Sequence, residues 1–145
     1  MPQIKPATLA EAYQLHLQIP EFKEQMPLSK FEEELATTDK VQILTAHLND
    51  KPIGYMISYD RFKDGSIYCW MTGVIPEARG QGALKAMMTE LTDWAKAKGF
   101  TEIKIKTRNA LREMLSFLVK NDFNFYQIDQ QVDFRDNRLL LSKKI

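Results

Sequence analysis

The chain of 145 residues contains one cysteine, Cys69, so no intramolecular disulfide can form. A lone thiol fits a reducing compartment. No apolar run approaches the roughly 18–20 residues that a membrane-spanning helix needs. The opening residues, MPQIKPATLAEAY, lack a charged-then-apolar secretion signal, so a cytoplasmic protein is expected. Net charge is also scarce: 20 Lys or Arg against 19 Asp or Glu leave +1. That balance gives no general attraction to nucleic acid or to a membrane surface. His16 and His47 have no partner at ligand spacing, and one cysteine cannot complete a zinc cluster, so no metal is expected. Internal repeats, low-complexity tracts and linkers are missing too.

What remains is ordinary globular material, 44% hydrophobic and 27% charged, sized for one domain over residues 1–145. Charge is unevenly spread, with −3 over residues 1–40 and +4 over the rest. An anionic ligand on the later part and plain solvated surface both explain that split.

Residues 2–6 read as a short strand. Thr8 and Glu11 have capping-box spacing, and Leu9, Ala12 and Leu15, with His16 beside them, form a helical stripe. Pro20 should end or kink that helix. A second helix is expected from Ser29 as its cap, ahead of KFEEEL. VQILTAHLN and PIGYMISYD form a hairpin, and SIYCWMTGVI a third strand after Asp64-Gly65. Leu84, Met87, Met88, Leu91, Trp94 and Ala95 recur at helical spacing up to Gly99, a left-handed cap. TEIKIKT alternates as a strand, Leu111, Met114, Leu115 and Leu118 make another helical stripe, and FNFYQID and NRLLLSKKI close the chain. The order β-α-α-β-β-β-α-β-α-β-β predicts an α+β fold with a mixed, mostly antiparallel sheet flanked by helices.

One stretch carries chemistry: VIPEARGQGALKAMM, residues 74–88. A helix N-terminus has unpaired N–H groups and roughly +0.5 charge, and glycines ahead of it let a phosphate approach them closely. A plain glycine turn between strand and helix is the other reading. The segment is not a Walker A loop, because Gly82 is followed by Ala83-Leu84 rather than Lys-Ser/Thr. Two glycines midway down the chain do not make a dinucleotide fingerprint.

Val74, Pro76, Arg79 and Gly82 resemble the acetyl-CoA-binding motif of the GNAT N-acetyltransferase superfamily. There Val-x-Pro leads to Arg/Gln-x-x-Gly-x-Gly/Ala; Leu84 stands at the last position here. IKPATLAEA is similar to that family's opening strand and helix, KTRNALREMLSFLVKNDF to its fifth strand and following helix, and the element order matches. The resemblance implies an acyl-CoA N-acyltransferase-like fold, with a fourth strand that bulges and splays from the fifth. It implies acetyl-CoA as cosubstrate. Thr72, Gly73 and Val74 would offer main-chain groups to the pantetheine and thioester. The backbone of Arg79, Gly80, Gln81, Gly82, Ala83 and Leu84 would cradle the pyrophosphate. Asn109 would contact the cofactor, or else cap the following helix.

Catalytic residues do not follow from the same resemblance. Where many relatives carry a carboxylate on the fourth strand, this chain has Trp70 and Met71, and at the usual tyrosine position it has Leu118. Tyr68 and Tyr126 are candidates for proton donation, or else half-buried strand aromatics. The implied activity is acetyl transfer from acetyl-CoA to a primary amine, small molecule or peptide, by direct attack in a ternary complex. A non-catalytic acyl-CoA-binding or sensor domain and an interaction module on the same fold are the alternatives. Glu32, Glu33 and Glu34 offer an acidic rim for a cationic amine, or a solvated helix face. An exposed final strand would allow a homodimer.

Overall fold

A computed structural model describes residues 1–22 and 25–145. In chain order the elements are β1 (Gln3–Pro6), α1 (Leu9–His16), α2 (Leu28–Leu35), β2 (Val41–Leu48), β3 (Lys51–Tyr59) and β4 (Ser66–Val74). There follow α3 (Ala83–Ala97), β5 (Glu102–Arg108), α4 (Arg112–Lys120), β6 (Asn124–Asp129) and β7 (Arg138–Lys144). This is the order the sequence pattern predicts. The seven strands form one sheet, ordered β1-β2-β3-β4-β5-β7-β6. Every pairing is antiparallel except β4 with β5, which the α3 crossover makes parallel.

β3 sits near the middle of the sheet, and its last seven residues are all buried, so both sheet faces are covered. On one face, α1 brings His16 to Tyr55. On the other, the Met87 methyl of α3 lies 3.3 Å from the space over Gly54. Alternation along β3 explains why neighbouring residues 54 and 55 meet different helices. The turn between β2 and β3 has Asn49 and Asp50 at φ of 51° and 64°, a two-residue hairpin turn whose twist suits the strands.

Thr8 and Glu11 make the capping box in full, and Gly99 has the expected positive φ of 88°. Four local expectations change. α1 ends at His16, before Pro20 is reached. α2 starts at Leu28, with extended Pro27 as its cap, so Ser29 lies inside the first turn. α4 starts at Arg112 behind Leu111, with no capping side chain; Asn109 instead donates from Nδ2 to Phe134 O at 3.0 Å. The final strand β7 is interior, between β5 and β6, because the last hairpin folds back into the sheet. The free edge on that side is β6, and no exposed final strand exists for a second copy to pair with.

The stripe of α3 is buried at Ala83, Met87, Met88, Leu91 and Ala95. Leu84 is only half-buried, packed at the margin of the core. Leu118 and Cys69 are both fully buried, as small and medium apolar groups should be.

Candidate active site

The sheet opens where β4 leaves β5. Ile57 of β3 faces Met71, but Ser58 faces Cys69, so Trp70 is an extra residue. Such a bulge bends its strand and strengthens its twist. Phe31 and Tyr59 hold the Trp70 ring, with centroids at 5.0 and 5.4 Å. Parallel pairing with β5 stops one residue earlier, at Cys69 with Ile105. Both strands continue, to Val74 and Arg108, and part from each other as they do.

That separation leaves main-chain groups facing a gap. Ile75 N–H donates to Ile53 O at 2.8 Å, which makes 53/75 a hydrogen-bonded pair. By antiparallel alternation 55/73 is one also, whereas 54/74 and 56/72 are not. The N–H and C=O of Thr72 and Val74 therefore point away from β3. Arg79 Nε donates to Val74 O at 3.0 Å. Gly73 pairs with Tyr55 through its main chain, and it serves the site by lacking a side chain. A Cβ there would stand 3.0 Å from Ile19 Cγ1, so Gly73 lets the end of the α1 segment close over the strand.

Beyond the short 3-10 turn Pro76–Ala78, the loop reaches α3 through Gly80 and Gly82, at φ of 78° and 86°. These left-handed values cost other residues about 1–2 kcal/mol. A Cβ at either position would meet nothing within 4 Å, so the requirement is conformational and the space above is open. Among the described residues, the N–H groups of residues 80–85 have no main-chain acceptor, and α3 has no capping side chain. The result is a row of free donors at the positive end of a 15-residue helix. Arg79 braces the loop. Its guanidinium grips both oxygens of Glu21, at 2.7 and 2.8 Å, and this contact holds the Glu21 carboxyl below its usual range.

A cavity of about 610 Å³ follows this surface. Thr72, Gly73, Val74, Arg79, Gly80, Gly82, Ala83 and Leu84 all line it; Gln81 and Asn109 do not. A second cavity, also about 610 Å³, lies on the side of α1 and the end of β5. Glu21, Phe22, Thr72, Leu111 and Met114 line both, so these are two ends of one cleft joined beside Thr72.

His16 also lines the second cavity, and it is only 1% exposed. Its Nδ1 lies 2.7 Å from Tyr55 Oη, and its Nε2 has no partner among the described residues. Burial lowers its pKa, so the imidazole is neutral near pH 7. Phe22 and Phe31 fix the ring, with centroids at 4.8 and 5.1 Å. The sequence held one signal for it: His16 shares the buried face of α1 with Ala12 and Leu15, an unusual place for a polar ring.

The two candidate tyrosines separate. Tyr68 lines the second cavity, but on the part of β4 still paired with β5, and burial pushes its hydroxyl up to about 12. Tyr126 is exposed on β6 and lines neither cavity. The acids of α2 form no rim. Glu34 accepts from Tyr59 Oη at 2.7 Å, Glu33 pairs with Lys30 at 3.2 Å, and Glu32 lines neither cavity. Cys69 is a core residue with its thiol pushed up to about 12 by burial. Among the described residues no three potential ligands are grouped to hold a metal, and no helix is long and apolar enough to cross a membrane.

A mixed sheet split beside a row of helix-mouth donors leaves an open cleft at the positive end of α3. The chain belongs to the acetyltransferase (GNAT) family, whose model matches residues 8–123. Solved structures share the fold. The ribosomal-protein-S18-alanine N-acetyltransferase of Escherichia coli is 16% identical with a TM-score of 0.83, covering 100% of this chain and 94% of that one. A Bacillus subtilis acetyltransferase in complex with CoA is 19% identical with a TM-score of 0.78, covering 100% and 99%. A GNAT family acetyltransferase from Elizabethkingia anophelis with acetyl-CoA bound is 17% identical with a TM-score of 0.76, covering 99% and 98%. No curated protein sequence matches the chain significantly.

Proposed function

We propose that the protein is an N-acetyltransferase that moves the acetyl group of acetyl-CoA to a primary amine by direct attack in a ternary complex. The observation that carries this reading is the joined cleft. One end offers the free N–H groups of residues 80–85, the other a neutral buried imidazole, and Thr72 stands between them. Family membership supports it, as do the fold relatives described with CoA or acetyl-CoA bound.

The donors fit the coenzyme's chemistry. A pyrophosphate carries two negative charges and suits N–H groups already fixed in place without side chains over them. The N–H groups of Thr72 and Val74, turned into the gap, suit the pantetheine amides and the acetyl carbonyl oxygen, whose negative charge grows during attack. Acetyl-CoA supplies an activated thioester. In the tautomer where Nδ1–H donates to Tyr55 Oη, His16 Nε2 keeps an unshared lone pair, with no partner among the described residues. We assign it the proton that the attacking nitrogen must lose. The C–N bond forms, the C–S bond breaks with its electron pair on sulfur, and the proton passes from His16 to the thiolate or to water.

Thiol release from acetyl-CoA, measured over a panel of amines with the acetylated product identified by mass, tests the reading. Transfer to an amine is expected. Coenzyme binding with no transfer to any amine would favour the sensor reading, and no binding would end both.

A further inference from the structure

We infer that the second cavity receives a small primary amine carrying an anionic oxyacid group, a carboxylate or a phosphate. This rests on the acetyl-transfer reading and adds the class of acceptor. Four cations from three parts of the chain line the cavity: Arg61 beyond β3, Lys106 and Arg108 on β5, and Arg138 on β7. Glu21 is the only acid on its described wall, and Arg79 already holds both of its oxygens.

Among the described residues, Arg61, Arg108 and Arg138 take part in no ion pair. Arg108 donates to the main-chain oxygen of Glu21 at 3.2 Å, and Arg138 to that of Asp136 at 2.6 Å. Arg61 lies over the Tyr68 ring, 5.2 Å from its centroid. Lys106 reaches Asp129 only at 4.0 Å. Like charges gathered on a concave wall repel one another and focus a positive potential, which concentrates anions and excludes polycations. Guanidinium groups also match the paired oxygens of a carboxylate or phosphate. Phe22, Trp70 and His16, which also line the cavity, carry no fixed charge at neutral pH. An acceptor with its anion on the arginines directs its amine toward His16 and Thr72.

The test uses the full chain saturated with coenzyme A. Calorimetry compares N-acetylated amino acids and N-acetylphosphoethanolamine with the corresponding amides and N-acetylethanolamine, and turnover, with acetyl-CoA in place of coenzyme A, compares the unacetylated amines plus spermidine. The acids are expected to bind and react at least about tenfold better than the neutral analogues, about 1.4 kcal/mol, with the margin shrinking as salt rises. The carboxylate and phosphate arms show which oxyacid is taken. Arg61→Gln with Arg138→Gln should bring acid and amide toward parity. Equal or better use of neutral amines or spermidine, or no binding of any acid, overturns the inference. A separate acetyl-CoA titration of the same samples shows whether the transferase reading fails as well.

Discussion

Replacing Gly82 with alanine separates a ligand-binding role from a merely conformational one. Gly82 has φ of 86°, and Gly99, past the other end of α3, has φ of 88°. In both cases an added Cβ meets nothing within 4 Å. Gly82→Ala and Gly99→Ala should therefore carry the same left-handed strain, about 1–2 kcal/mol. In a chain of this size each kcal/mol lowers Tm by about 2–4 °C, so both variants should melt a few degrees early and by similar amounts. They differ in place. Gly82 lines the first cavity, whereas Gly99 lies beyond the 15-residue helix, roughly 22 Å away at 1.5 Å per residue. Calorimetric titration with acetyl-CoA should show affinity reduced at least about tenfold in Gly82→Ala and unchanged in Gly99→Ala. Equal losses would mean that strain alone weakens binding. No loss in either would remove the loop from the site.

Three further outcomes follow from named contacts. Arg79→Ala removes a bidentate pair whose side chains are 32% and 37% exposed, so stability should fall by only about 1 kcal/mol or less; the KM for acetyl-CoA should rise more, because the loop loses its tie to Val74 O, and Arg79→Lys should not restore it. His16→Gln should lower kcat about a hundredfold and abolish the acid limb of the pH–rate profile, with the melting temperature as the control for folding. Among the described residues, the ionisable groups around His16 are Tyr13 and Tyr55 against its ring, with Tyr68, Glu21 and the four cations on the cavity wall. Because its folded pKa is lowered, the unfolded chain binds the proton more readily. Native stability should be full above about pH 6.5 and fall as pH drops below it; His16→Gln should flatten that slope. Leu84→Gly should cost stability through lost packing at the core margin and change acetyl-CoA affinity less than about tenfold; a hundredfold gain would show that Leu84 obstructs the coenzyme.

The order of elements was legible because hydrophobic period and capping are local signals. Thr8 with Glu11, and Gly99 after its helix, mark boundaries within four residues of chain. The donor loop was legible for the same reason, since Gly80 and Gly82 announce left-handed backbone before a helix. What depended on distant partners was not. Arg79 meets a carboxylate 58 residues away, and nothing near Arg79 in sequence names Glu21. β7 lies inside the sheet because β5 and β6 both pair with it, an outcome set by strand order rather than by its own residues. Ser29 and Asn109 have capping chemistry, but Pro27 and Leu111 stand at the helix starts. His16 was visible only as a polar residue on an apolar stripe, and its meaning depended on Tyr55 and the opening beside Trp70. The cation-lined second cavity likewise gathers Arg61, Lys106, Arg108 and Arg138 from separate segments, so the acidic run at residues 32–34 was the more conspicuous but less relevant feature.

The most direct measurement is an amide NMR titration of the isotopically labelled chain with acetyl-CoA. Shifts should concentrate in the N–H groups of Thr72, Val74 and residues 80–85, with the β1–β2 pairs little changed. An unchanged spectrum at millimolar acetyl-CoA, or shifts confined to residues outside the cleft, would contradict the assignment of this cleft to acetyl-CoA.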